Sequence, residues 1–504
     1  MNVAPLARSL RALGDPFVAI TALGVAANLA IVWGFAHVAA QDHANHVASL
    51  RVLRGLWESD PFFVARFRVS HRIVPDLLSE LVWFVALRPL GELVAGKALL
   101  SLYALALPAA WRAFTRRFCE GDNGLLPLAP LVTMSLYYSL GSTNFLLGLP
   151  CFLAACVAWD AVRERPRALL SFALWSAATW LAHLYDYLFL LTFVGAHVVA
   201  HGASKRLPTR RELAALAGLA IGLGLAANAV FTREGEWSQR APPRFDHSLR
   251  ALAQLFDEAL FLRAHGGTLL AAIALTLPPL VALAVAAHRR VLAPSIRRVP
   301  AVAALFTVAA MWVMPVSIGD EGSIKSRFAV PALLFAMASV VAPAQRLYRV
   351  VAALTLASLV AYKCNDERAA AARFNERAAV EMELMRALPR HASVLPVAWW
   401  RRNDPHEKLF VHFTDLAVIA RDAYVPDLFD APGQQILRYR TRRTPVTART
   451  PDALSPEELR GYDFVWARSD ARDALAQHPG GRLDAVSASE RSTIYRVPPR
   501  AFAR

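Results

Sequence analysis

Acidic side chains are scarce in this 504-residue chain, and its most apolar stretches hold none. Only 19% of residues are charged, 39 acidic against 55 basic, while 56% are hydrophobic and the mean hydropathy is +0.35. A water-soluble domain carries about 25% charged residues, so a string of soluble domains is excluded. Cysteine is nearly missing too. Cys119, Cys151, Cys156 and Cys364 have neither CxxC nor zinc-ligand spacing, which excludes a disulfide-stapled secreted domain. No Walker A, GxGxxG, GxSxG or HExxH pattern occurs, and no internal repeat. The net charge of +16 would point to nucleic acid in a soluble chain. No basic stripe is interleaved with aromatics here, so nucleic acid is not an expected partner; basic loops facing lipid headgroups are.

What is present is a series of charge-free blocks: Phe17–Ala40, Gly124–Trp159, Ala168–Tyr185, Tyr187–Ser204, Leu213–Thr232, Ala264–His288, Val299–Gly319 and Phe328–Gln345. A helix needs about 20 apolar residues to cross a hydrocarbon core of roughly 30 Å. The chain therefore reads as an all-α polytopic membrane protein. Boundaries drawn from charges, Pro and Gly give about eleven transmembrane helices, near 16–40, 91–111, 124–140, 144–160, 168–183, 186–201, 212–231, 267–287, 299–317, 328–344 and 349–362. The turn-prone run Ser139-Leu140-Gly141-Ser142-Thr143-Asn144 splits the longest block into a hairpin. No small-residue cleavage site follows the first block, so it reads as a span and not a signal peptide.

Lys and Arg alternate in density along the connections. Segments 1–15, 112–123, 160–167, 201–212, 288–298 and 345–349 hold 18 in 63 residues; the intervening 41–90, 140–144, 183–187, 232–264 and 317–327 hold 13 in 104. The positive-inside rule then makes the N-terminus cytoplasmic and the second set outward-facing, in the plasma (bacterial inner) membrane. Residues 72–88 hold a short apolar run, Leu77–Leu87, read as an interfacial helix within the outward loop 41–90. Two units follow: a transmembrane domain at 1–364 and a small extracytoplasmic mixed α/β domain at 365–504. In the latter a helix is expected at Ala369–Leu388 and strands at Val394–Trp400, Tyr462–Ala467 and Ser492–Val497. Ser455-Pro456-Glu457-Glu458 has the residues of a capped helix start.

Ionisable groups at a membrane are costly and therefore informative. The first outward loop opens Gln41-Asp42-His43-Ala44-Asn45-His46, with Asp42 and His46 four apart on one helix face. Asp42 reads either as a general base at the outer surface, with His43, Asn45 and His46 as orienting or substrate contacts, or as an ordinary helix N-cap. His183 and Asp186 stand at an outward turn, either against a ligand or in an aromatic interface. Lys325 and Arg327 stand at the outer end of the 328–344 span, against the charge trend. They read as phosphate ligands or as cations reaching for headgroups.

Over residues 16–362 this layout resembles the GT-C superfamily of membrane glycosyltransferases, which includes lipid A aminoarabinose transferases and protein O-mannosyltransferases. Asp42 with His43–Trp57 is similar to the acidic opening of that family's first outward loop. His71-Arg72-Ile73-Val74-Pro75, Leu77–Leu87 and Pro89-Leu90-Gly91 resemble its interfacial helix. Trp111–Phe118 resembles its basic, aromatic span end, and Arg327-Phe328-Ala329-Val330-Pro331 its Arg–aromatic–Pro pattern. The resemblance implies a polyprenyl-phosphate sugar as donor and an extracytoplasmic lipid, glycan or protein as acceptor. Asp42 would be the base, and Arg327 with Lys325 would neutralise the departing phosphate. Many members pair two acids where this chain has Asp42-His43, so no cofactor is called for except a divalent cation, which is left open. Two rivals stand beside it. A flippase or transporter of lipid-linked sugars would give Glu92 and Lys97 a role in the second span. A non-catalytic envelope-assembly scaffold would use the outer domain for protein contacts.

Overall fold

The computed structural model describes residues 15–70, 73–202, 208–231, 242–248, 296–317, 324–341, 346–398, 409–429, 435–440, 454–468, 471–472, 475 and 483–498. It is mostly helical. The longer helices are α1 (Pro16–Gly34), α2 (His43–Trp57), α3 (Glu92–Phe118), α4 (Thr143–Val162), α5 (Pro166–Ala182), α6 (Leu184–Gly202), α7 (Arg210–Phe231), α8 (Arg298–Val313), α9 (Ala329–Ser339) and α10 (Arg346–Arg386). Among the described residues four, α1, α3, α4 and α6, are long and apolar enough to cross a membrane. The span expected at 267–287 and the pair His71-Arg72 lie outside the described residues.

Local chemistry explains where several helices begin. Asp15 caps α1 through its carboxylate, which accepts from the Phe17 N–H at 2.9 Å, with Pro16 in the first turn. Ser455 and Glu458 form the expected capping box on the short helix Pro456–Arg460. Leu78–Val82 and a π-helical turn, Trp83–Leu87, make the short helix expected in the outward loop.

Two expectations are corrected. The segment 124–140 is not one helix: it is a 3-10 turn and two short helices, Leu128–Thr133 and Leu136–Leu140, broken at Met134 and Ser135. Pro127 and Pro130 stand at the start of the first of these helices, where proline is tolerated, and most of the segment is buried. The span expected at 349–362 has no end of its own. It continues into the predicted 369–388 helix as the 41-residue α10. At 1.5 Å per residue that helix is roughly 60 Å long, twice a bilayer core. A buried Lys363–Glu367 pair at 2.8 Å satisfies the two charges near its middle.

The C-terminal residues hold a four-stranded sheet in the order β2 (Val394–Ala398), β4 (Phe464–Arg468), β6 (Ser492–Arg496), β5 (Asp484–Ala488). β2 and β4 are parallel; β6 is antiparallel to both of its neighbours. A second, two-stranded sheet joins distant parts of the chain, with β1 (Phe67–Val69), in the loop 41–90, antiparallel to β3 (Leu437–Tyr439). Arg51 of α2 also pairs with Asp422 at 2.6 Å. These contacts fasten the C-terminal residues to the outward loop.

The turn at 139–144 fixes where that loop starts. Gln41 and Asp42 donate their backbone N–H groups to the carbonyls of Ser139 and Leu140 at 2.9 and 2.8 Å. The fit requires glycine. Gly141 has φ +77°, and a Cβ there would stand 2.5 Å from the backbone nitrogen of His43. Asn144 holds the next part of the loop, accepting from the Ser79 N–H at 2.7 Å and donating to the Asp76 carbonyl at 2.9 Å. The opposite ends of α3, α4 and α6 meet in a separate cluster, where Asp160 takes Arg117 and, at 2.7 Å, His197.

Gly141→Ala should lower the thermal unfolding midpoint in detergent clearly more than Gly121→Ala. Both replace a glycine with φ near +76°, and so share a strain of about 1–2 kcal/mol. Only the first also drives a Cβ into neighbouring backbone, and equal midpoints would contradict this role for the turn.

Candidate active site

Asp42 occupies the N-cap position of α2, yet its side chain makes no capping hydrogen bond. The ordinary N-cap reading therefore does not account for the carboxylate. Its Oδ1 is buried, 3.7 Å from Nε2 of His412. Burial raises the Asp42 carboxyl above the usual carboxylate range, against the opposing pull of His412, Gln41 and Arg327. The guanidinium of Arg327, 285 positions along the chain, thus acts on Asp42 through space.

Arg327 lies in a 3-10 turn, Lys325–Phe328, that leads into α9. One of its amino groups is 2.9 Å from Nε2 of His183, and its guanidinium stacks over Tyr185 at 4.5 Å. His183 sits at the break between α5 and α6, where its Nδ1 accepts the Tyr185 N–H at 3.1 Å. A neutral imidazole has one acceptor nitrogen. A neutral His183 therefore accepts from the Tyr185 N–H at Nδ1 or from the Arg327 guanidinium at Nε2, according to its tautomer. Asp76 Oδ1 is 3.6 Å from the same Nε2, presented by a residue at φ +62°. Asp186, one turn into α6, is fully buried, and neither carboxylate oxygen has a hydrogen-bond partner. It lies within the field of Arg327 and fits only because α4 has glycine opposite: a Cβ on Gly148 would be 2.1 Å from Oδ2.

The remaining sequence candidates separate from this group. Lys325 does not support Arg327: it donates to the Asp246 carbonyl and lies 5.6 Å from the Trp312 ring. The alternation of side chains around the 3-10 turn points the two cations different ways. His43 faces Gly96 of α3 and not the Arg327 group, and burial lowers its pKa to about 3. His46 packs edge-on against Phe429 at 5.7 Å, and burial lowers its pKa to about 4. Asn45 is fully buried and ties α2 to the C-terminal residues. Its amide donates to Asp415 Oδ2 at 2.8 Å and to the Asp427 carbonyl at 2.9 Å, and its oxygen accepts from the Phe429 N–H at 3.1 Å. Glu92 and Lys97, which a transport reading would use, are held near the N-terminal end of α3: Glu92 by Arg54 at 3.0 Å, Lys97 by the Phe35 carbonyl.

Sequence reasoning missed four residues here: Asp76, His412, Asp415 and Asp427. His412 is buried among the last two and Asp42. Burial alone would strip its proton; the bond and field of Asp415, with Asp427 and Asp42, outweigh this and lift it to about 9. Burial holds the Asp427 carboxyl above its ordinary range. The available signal was His412 and Asp415 standing in the otherwise apolar run Leu409–Ala420. Among the described residues, His412, Asp415 and Asp427 are also the group whose donor atoms, all within 4.8 Å of one another, could hold a metal.

No family model matches the chain, and no curated protein matches it in sequence. Among solved structures it is similar to the crystal structure of ArnT from Cupriavidus metallidurans in the apo state. The TM-score is 0.50 at 13% identity, over 95% of this chain and 98% of that one. The structure of ArnT bound to undecaprenyl phosphate scores 0.49 at 13% identity, over 95% and 97%. The likeness is one of fold: nearly the whole chain follows the fold of that apo ArnT structure.

Asn45→Ala would strand two buried acceptors and one N–H, at about 1–3 kcal/mol each. Hydrogen exchange in residues 409–429 should then quicken by at least about tenfold, with 143–162 unchanged. Unchanged protection in 409–429 would contradict the clamp.

Proposed function

We propose that the protein is an integral-membrane glycosyltransferase that moves a sugar from a polyprenyl-phosphate donor to an extracytoplasmic acceptor. The observation that carries this reading is a carboxylate, Asp42, that caps no helix and feels the charge of a distant guanidinium, Arg327. The GT-C architecture supports it. The placement of Arg327 beside His183 at 2.9 Å supports it further, because a phosphate oxygen there would accept from the guanidinium and from the Nε2–H tautomer of His183.

In this mechanism Asp42 takes the proton of an acceptor hydroxyl. The freed oxygen bonds to the anomeric carbon as that carbon's bond to the phosphate oxygen breaks, with inversion. The electron pair leaves with the lipid phosphate, which Arg327 and His183 stabilise. Low dielectric near the membrane strengthens both effects. A raised carboxyl pKa brings the base nearer the working pH. Asp76 stands 3.6 Å from His183, and the charge of Asp186 balances that of Arg327 through space. Around this site we assign several membrane spans, a cytoplasmic N-terminus and an extracytoplasmic α/β domain, built on the sheet that follows α10, that contacts the acceptor, all in the bacterial inner membrane. The placement of Glu92 and Lys97 in local ion pairing and hydrogen bonding weighs against transport.

With purified protein in nanodiscs and a panel of radiolabelled undecaprenyl-phosphate sugars, Asp42→Asn should cut transfer by about 10²–10⁴-fold. Binding of undecaprenyl phosphate should be retained. Full activity in that variant would remove Asp42 as the base. Arg327→Ala should weaken undecaprenyl phosphate binding by about 10- to 100-fold, the worth of a charged hydrogen bond. An unchanged Kd would remove the phosphate role.

A further inference from the structure

Beside Asp42, and made of residues the transfer mechanism does not use, His412, Asp415 and Asp427 bring three donor atoms together. The sequence arranges this locally. Phe413–Asp415 is a 3-10 turn, in which side chains three apart eclipse, so His412 and Asp415 face the same way. Asp427 arrives from the loop that follows Val425. Nδ1 of His412 lies 3.3 Å from Asp415 Oδ2 and 3.6 Å from Asp427 Oδ2. Donor atoms of a tetrahedral site with bonds of about 2.1 Å stand roughly 3.4 Å apart. Asp415 is wholly buried, and its second oxygen, Oδ1, has no hydrogen-bond partner. Asp427 also lies in the field of Arg468, so it is the convergence of one imidazole and two carboxylate donors, with a fully buried oxygen of Asp415 left unpartnered, that points to a bound ion.

We propose that His412, Asp415 and Asp427 form a binding site for one divalent transition-metal ion of the zinc class. One imidazole with two carboxylates suits Zn²⁺, while Mg²⁺ and Ca²⁺ favour oxygen donors alone. Asn45 braces the site from α2, donating to Asp415 Oδ2 at 2.8 Å and to the Asp427 carbonyl at 2.9 Å. The ion would clamp the C-terminal residues onto the outward loop beside the β1–β3 pairing. A metal on Nδ1 leaves the His412 proton on Nε2, the atom that faces Asp42 Oδ1 at 3.7 Å. The ion would therefore orient a donor at the proposed base. That last consequence rests on the transferase reading; the metal site rests on its own geometry.

The test uses full-length protein in detergent, purified on a tag without histidine and stripped with a chelator, with Zn²⁺ and Co²⁺ as the probes. The expected result is one equivalent of Zn²⁺ retained through gel filtration. Co²⁺ should give the visible absorption of a four- or five-coordinate nitrogen–oxygen site. The double variant His412→Gln, Asp427→Asn should lose at least about tenfold in Zn²⁺ affinity. Should that variant aggregate, the wild-type stoichiometry and Co²⁺ spectrum decide alone. Wild-type protein that retains no stoichiometric Zn²⁺, a Co²⁺ spectrum of the six-coordinate aquo type, or a folded variant that binds Zn²⁺ as well as wild type would each overturn the proposal. None of these outcomes bears on sugar transfer, so the two readings fail separately.

Discussion

Where a chain emerges from a bilayer its backbone donors and acceptors still need partners, and here one tight turn supplies them. The carbonyls of Ser139 and Leu140 receive the first outward loop at Gln41 and Asp42, and Asn144 receives it again at Asp76 and Ser79. Both acids are therefore set by the same six-residue turn, and a left-handed glycine makes the close approach sterically possible. His183 and Asp186 reach the same side from the α5–α6 break, and Arg327 from the turn before α9.

The electrostatics follow from that placement. Five carboxylates, those of Asp42, Asp76, Asp186, Asp415 and Asp427, crowd two basic centres, Arg327 with His183 and His412 with its neighbours. Desolvated charges persist only when compensated. The first centre sets a guanidinium against an imidazole; the second gathers two carboxylates about one imidazole, with Arg468 acting on Asp427. Asp42 lies between them, under the influence of both. A site that needs ligands to complete its charge balance costs stability without them, as functional sites do.

Much of this was legible in the sequence, for identifiable reasons. Charge-free blocks located α1, α4 and α6, because the hydrocarbon core leaves composition little freedom. Asp42 stood out because a charge directly after such a block is placed by the block. The strands at 394, 464 and 492 showed as short apolar runs between polar turns. The failures have physical causes as well. Nothing in one sequence says that His183 and Arg327, 144 positions apart, touch, or that Lys325 turns to another partner two residues from Arg327. The break at Met134 within an apolar run depends on packing, not on polarity. His412, Asp415 and Asp427 matter only because Asn45 and the β1–β3 pairing bring their segment onto the outward loop, and that pairing joins residues about 370 apart.

The central claim is that Arg327 and His183 receive a lipid phosphate on the side of the membrane where Asp42 stands. The most direct measurement is a cryo-electron microscopy structure of the protein in nanodiscs with undecaprenyl phosphate bound. The account predicts phosphate density within hydrogen-bonding distance of the Arg327 guanidinium and of His183 Nε2, open toward Asp42. Phosphate seated at the opposite ends of the helices, by Arg117 and His197, or any complex in which Arg327 keeps His183 and touches no phosphate, would contradict it.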